Sequence, residues 1–112
     1  MSEKTTGPLA GVRVLDLTRI LAGPTCTQLL GDMGADVVKS ERPGAGDDTR
    51  AWGPPFLKDQ DGKPTGEAGY YLSVNRGKRS LTLDPAAPEG REIVRRPDAS
   101  ADIVIANMPD AT

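Results

Sequence analysis

The chain has 112 residues, a formal charge of −2 from 14 Lys and Arg against 16 Asp and Glu, one cysteine and no histidine. That length fits one small domain, which buries roughly two-thirds of its unfolded surface, and the charge offers no broad basic field to capture nucleic acid. No stretch approaches the roughly 20 apolar residues that cross a bilayer, and Met1 to Pro8 is polar with no leader-like apolar segment, so a cytoplasmic protein without nucleic-acid or membrane partners is expected.

A lone Cys26 and the lack of histidine exclude, within these residues, a disulfide framework, a Cys-rich zinc site and a Cys/His or Ser/His nucleophile pair. No metal is expected.

Strand and helix alternate along the chain. Val12 to Leu17 (VRVLDL) is apolar, β-branched and preceded by Gly11, as suits a buried parallel strand. Pro24 then stands at a first helical position, where its missing N–H costs nothing. Cys26, Leu29, Leu30 and Met33 recur at spacings of three and four, which predicts one apolar helix face turned to the core, with Cys26 a small buried hydrophobe; Gly34 supplies a left-handed stop. Asp36 to Ser40 (DVVKS) is a second short strand. Strand, helix and strand form a βαβ unit with a right-handed crossover.

Residues 43 to 69 hold six glycines and four prolines among 27 positions and have no periodicity, which predicts a long loop or a partly ordered excursion. Tyr70, Tyr71, Leu72 and Val74 fit a short helix or an extended segment equally. Ser80 to Asp84 (SLTLD) alternates like a third strand. Glu89 to Arg96 reads as a helix with acids early and arginines late, Glu92 and Arg96 being spaced for a pair, and Pro97 ends it. Ile103 to Ala106 (IVIA) is a fourth strand. The expected architecture is an open α/β sheet without internal repeats.

In such a sheet the ligand crevice lies beyond the carboxyl ends of the strands, so Thr18 to Ala22, Glu41 with Arg42, Leu83 to Ala86, and Asn107 with Met108 converge on one edge. The helix starting at Pro24 turns its positive end to that edge, which favours phosphate. Gly44 and Gly46 make no dinucleotide fingerprint, because Thr49 stands where a third glycine is needed and no helix opens there. Asp47 and Asp48 are read as a solvated turn, since adjacent loop positions fix no separation for paired catalytic carboxylates. Lys78 and Arg79 enter a strand with opposite facing, so at most one can meet a ligand. Trp52 and Phe56 are read as loop anchors or subunit contacts.

Taken in order, VLDLT, AGP, LGDMGADVVK followed by ERP, GDDTR, NRGKRSLTLD and ADIVIAN span the chain from about Leu9 to Met108. In these pieces it resembles the class III CoA-transferases, the CaiB/BaiF type that includes formyl-CoA transferase and α-methylacyl-CoA racemase. The resemblance implies that residues 1 to 112 are the N-terminal part of a CoA-binding, Rossmann-like large domain with an incomplete parallel sheet of about four strands and flanking helices. By position it assigns Leu21, Ala22, Arg42, Leu83, Asn107 and Met108 to coenzyme A contacts. For Arg42 the plainer reading is a solvated surface arginine; its strand-end place and the fit of guanidinium to phosphate favour the contact.

The resemblance further implies an acyl-CoA and a carboxylic acid acceptor as substrates, an interlocked homodimer, and covalent catalysis through an aspartyl-CoA thioester. The family's catalytic aspartate lies beyond Thr112, so no residue here is assigned to catalysis and this fragment is expected to be inactive alone. Racemase chemistry in the same pocket, and a non-catalytic CoA- or nucleotide-binding or interaction fragment, are the alternatives. Two departures stand out. The family continues the third strand's LD with an apolar and then a basic residue, where this chain has Pro85 and Ala86, and Pro97 interrupts the helix before ADIVI.

Overall fold

Four strands run parallel and in register: β1 (Arg13–Asp16), β2 (Asp36–Glu41), β5 (Arg79–Thr82) and β6 (Ile103–Ile105), in the spatial order β5-β2-β1-β6. The computed structural model describes residues 6–84, 86–95 and 101–107. Counted along the chain, the strands stand third, second, first, fourth, the order of a Rossmann-like half-sheet whose direction of winding reverses between β1 and β6. The expected α/β class and open parallel sheet are therefore present.

Alternation along the strands sorts the side chains. Val14 and Asp16 of β1 and Val37, Lys39 and Glu41 of β2 are all buried, and Val14 and Val37 form the core with Ala35, backed by Leu9, Val12, Leu30 and Ile105. Their neighbours Leu15 and Val38 face the opposite side, where they line an apolar groove with Leu81, Leu83 and Ile93. One face is thus apolar at its start and charged at its carboxyl end.

Helix α1 (Ala22–Asp32) covers that first face, but not with the expected stripe. Pro24, Thr27 and Gln28 are its buried residues, while Leu29 is 54% exposed, Met33 41%, and Cys26 lies at the surface. The reading of Cys26 as buried is corrected. Polar side chains go inside because each finds a partner there: Thr27 Oγ1 donates to Asp16 at 2.5 Å, Gln28 Nε2 donates to the Ser73 carbonyl at 3.0 Å, and Gln28 Oε1 accepts the Arg76 N–H at 2.9 Å. A satisfied hydrogen bond removes the burial penalty that sequence periodicity alone assigns to Thr and Gln. Gly34 does end the helix at φ +106°, and a Cβ there would stand 2.5 Å from the Thr6 carbonyl oxygen.

The segment 43 to 69 is more ordered than its composition suggests. Asp47 caps a 3-10 turn over Asp48–Ala51, and β3 (Phe56–Lys58) pairs antiparallel with β4 (Pro64–Ala68) as a hairpin. Asp59 closes the hairpin tip by accepting the N–H groups of Asp61 and Lys63, each at 2.9 Å, around Gly62 at φ +79°. Trp52 meets Tyr70 edge-on with centroids 5.2 Å apart, so it does anchor the segment. The ambiguous Tyr70 region is helix α2 (Gly69–Asn75), and α3 (Pro88–Arg95) lies before β6. Arg96, Pro97 and Pro85 lie outside the described residues.

Candidate functional site

Because all four strands are parallel, the segments following Asp16, Glu41, Thr82 and Ile105 meet at one edge. Leu21, the residue capping α1, is 48% exposed at that edge and offers no side-chain cap, so the first turn of the helix keeps its N–H groups toward it. A small crevice there is lined by Arg19, Ser40, Glu41, Arg42, Gly46 and Asp47.

Beneath the edge lies a buried set of ions. Lys78 Nζ donates to Asp16 at 3.0 Å, to the Pro24 carbonyl at 2.9 Å and to Asn75 Oδ1 at 2.9 Å, so one ammonium ties β1, α1 and α2 together. Asp16 also accepts from Thr18 and Thr27. Burial pushes the Asp16 carboxyl up, yet these donors and Lys78 outweigh it and hold it below the ordinary range; burial pulls Lys78 down, with Asp16 opposing.

Lys39 pairs with Asp47 at 2.9 Å, both side chains being almost wholly buried, and donates to the Thr18 carbonyl at 3.1 Å. Asp47 in turn accepts from the Ile20 N–H at 3.2 Å and from Thr49 at 3.0 Å. Its carboxyl is held low despite burial, by Thr49 and then Lys39. Glu41 receives Arg50 at 2.7 Å on each oxygen, accepts from Ser80, and takes the Asp47 N–H at 3.0 Å. Burial raises this carboxyl, but the donors win and bring it down to about 2. Arg50 also lies over the Tyr71 ring, 3.9 Å from its centroid, and burial drives the Tyr71 phenol well above its ordinary range, with Glu41 adding to it.

The residues expected at the edge divide. Leu21, Ala22 and Arg42 are exposed there, whereas Leu83 is buried against the apolar groove and its N–H donates to the Glu41 carbonyl at 3.0 Å. Arg42 is not a free solvated arginine: its guanidinium bonds the Gly46 carbonyl at 3.0 Å and pairs with Asp48, folding the following turn back under the edge. Asn107 faces the loop after β1, its Oδ1 accepting the Arg19 N–H at 3.2 Å and its Nδ2 donating to the Arg19 carbonyl at 3.0 Å. Met108 lies outside the described residues.

The solvated-turn reading holds for Asp48, which is partly exposed, and fails for Asp47, which is 2% exposed. Lys78 and Arg79 do point opposite ways; Lys78 turns inward to Asp16 while Arg79 pairs with Asp36 at the surface. Asp16 and Lys39 were not among the residues expected at the site, and Ile20 only as part of the Thr18 to Ala22 stretch. For Lys39 a signal existed, since DVVKSE puts it on the same side of β2 as Val37, a charge in the buried parity of a central strand. Among the described residues, no group of three or more His, Cys, Asp or Glu could hold a metal ion, and no helix is long and apolar enough to cross a membrane.

Residues 9–112 match the family profile described as CoA-transferase family III. The succinate–glutarate CoA-transferase of Agrobacterium fabrum is 56% identical over 101 residues, covering 90% of this chain and 25% of the relative. The succinyl-CoA:mesaconate CoA-transferase of Haloarcula hispanica is 55% identical over 106 residues, covering 95% of this chain and 26% of the relative. Among solved structures, a CaiB/BaiF family protein from Brucella suis superimposes with a TM-score of 0.79 at 54% identity, over 91% of this chain and 26% of that one. The chain thus spans about a quarter of the length of the relatives it matches.

Proposed function

The chain belongs to CoA-transferase family III, and from that premise we propose that it is the N-terminal, CoA-binding part of an acyl-CoA:carboxylate CoA-transferase that exchanges CoA between succinyl-CoA and a small dicarboxylic acid. The observation that carries this reading is the identity of more than half the residues, over nine-tenths of the chain, with two transferases whose names specify succinate or succinyl-CoA and a second dicarboxylate. At that identity the transferase is favoured over the racemase.

In this reading the pyrophosphate and adenosine phosphate of CoA lie along the strand edge. Arg42 supplies a cation, the first turn of α1 supplies backbone donors, and Leu21 and Ala22 give apolar contact beside them. Leu83 contributes through the backbone that follows β5, because its side chain is buried, and Asn107 through the loop it fixes. Pro85 and Ala86 supply no cation, so Arg42 carries more of the phosphate charge.

The chemistry of such a transferase needs a carboxylate nucleophile that attacks the thioester, expelling CoA thiolate to leave a mixed anhydride; the thiolate then attacks the enzyme's own acyl carbon, forming an enzyme thioester and releasing the donor carboxylate, and the acceptor carboxylate runs the two steps in reverse to leave as its CoA thioester. The carboxylates beneath this edge are poor candidates: Asp16, Glu41 and Asp47 are buried and fully occupied by Lys78, Arg50 and Lys39. By the family resemblance the nucleophile is expected from residues other than these 112, and the family's interlocked homodimer is the expected assembly of a chain of the relatives' length.

Calorimetric titration of the 112-residue chain with CoA, alongside an acyl-transfer assay with succinyl-CoA and glutarate, tests the proposal. CoA binding without turnover is expected. No CoA binding removes the cofactor role from this edge, and turnover above a heat-treated control removes the assignment of the nucleophile elsewhere.

A further inference from the structure

Ile20 is the one non-glycine residue with positive φ among the described residues, at +75°. For a β-branched side chain that conformation is a genuine outlier, because Cβ crowds the following carbonyl, and it persists only where the surroundings over-determine it. A strand-to-helix connection has no need of it, and a glycine would adopt it without strain.

The surroundings supply the constraint from separate elements. Asp16 bonds the Thr18 N–H at 2.8 Å, Lys39 of β2 bonds the Thr18 carbonyl, Asn107 after β6 bonds both backbone groups of Arg19, and Asp47 after β2 takes the Ile20 N–H. On the far side, Gly23 brings the helix onto Thr18 so closely that a Cβ would stand 2.3 Å from the Thr18 Cβ. Three consecutive residues are thus pinned by the ends of three strands, at the switch point between β1 and β6.

We infer that Asp47 is a positioning residue that locks Ile20 in a left-handed turn and so sets Leu21 and the first turn of α1 in the place where the CoA phosphates bind. The inference rests on the CoA-binding reading above. Asp47 lines the edge crevice but is only 2% exposed, with its carboxylate oxygens taken up by Lys39, Thr49 and the Ile20 N–H, so it acts through the backbone of residue 20.

The test is a double-mutant cycle between residues 47 and 20, read as CoA affinity by calorimetry, with thermal melting of Ile20→Gly against Ile20→Ala. With Asp47 intact, Ile20→Gly should melt above Ile20→Ala, because only glycine takes positive φ freely. Asp47→Asn should weaken CoA about tenfold when residue 20 is isoleucine, and at most about threefold in the Ile20→Gly background, where the turn survives unclamped. A role for Asp47 confined to pairing Lys39 gives equal losses in both backgrounds and overturns the inference. So does an Ile20→Gly chain that melts at or below Ile20→Ala, a measurement that stands even if Asp47→Asn does not fold. Failure of the wild-type chain to bind CoA removes the positioning role together with the reading beneath it, and is distinguished by a melting order that still favours glycine.

Discussion

The ammonium of Lys78 rests on the carboxylate of Asp16 at 3.0 Å, with the two side chains 2% and 0% exposed, and this contact joins the end of β1 to the turn that opens β5. A buried pair of this kind adds little net stability against a well-packed apolar isostere, but breaking it strands a charge. Lys78→Met is expected to cost about 3 to 5 kcal/mol, a large share of the roughly 5 to 15 kcal/mol that holds a domain folded. Adding Asp16→Asn should recover part of the loss. Urea unfolding measures both; a single variant within about 1 kcal/mol of wild type would contradict the buried pair.

Acid should unfold the chain through the same layer of charge. Glu41 falls to about 2 in the fold from an ordinary 4.5, and Asp16 and Asp47 are lowered too. A carboxylate lowered in the folded state contributes stability that is complete above its unfolded value and is lost as pH falls toward its folded value. The urea midpoint should therefore hold down to about pH 5 and decline steeply from there toward about pH 2. Glu41→Gln, which takes up no proton in this range, should have a shallower decline, and equal slopes in the two proteins would exclude Glu41 as a source of it.

How legible this was depends on the range of the forces. The strands announced themselves because VRVLDL, DVVKS and IVIA need only local apolar runs, and Gly34 marked its helix end because a positive φ is a single-residue demand. The inward face of α1 did not, because Thr27 and Gln28 are buried for partners on β1, on α2 and at Arg76 just past α2, the last of them 48 positions away along the chain. Asp47 was hidden for the same reason: beside Asp48 in a glycine-rich run it looks solvated, and only folding brings Lys39, Glu41 and Ile20 around it. Leu21, Ala22 and Arg42 were placed at the edge by counting from strand ends, which parallel topology guarantees, whereas Leu83 turned inward because its position continues the apolar parity of β5.

Arg42 offers the direct check on the edge. Its guanidinium is about half exposed and already paired with Asp48, so a ligand phosphate competes for a cation that is held in place. Arg42→Ala should weaken CoA binding by roughly 1 to 3 kcal/mol, the range of a charge-assisted hydrogen bond. Asp48→Asn, by freeing the guanidinium, should strengthen binding or leave it unchanged. Calorimetry on both decides the matter, and an affinity unaffected by Arg42→Ala would take this residue out of the site.

The surface that α1 leaves open sets the behaviour of the chain in solution. Leu29, Met33 and Cys26 are exposed along that helix, and Val104 of β6 is 55% exposed on the sheet face that also carries Leu15, Val38 and Leu81. Parallel sheets are stable when both faces are covered, and apolar patches left open promote association. The 112-residue chain is therefore expected to self-associate, with an average mass in sedimentation equilibrium that rises with concentration. Leu29→Lys and Val104→Lys place charges at positions already in contact with solvent, so each should reduce association without lowering the melting temperature by more than a few degrees. A chain that stays monomeric across the concentration series, with or without these substitutions, would mean that the apolar faces are already adequately covered by the fold itself.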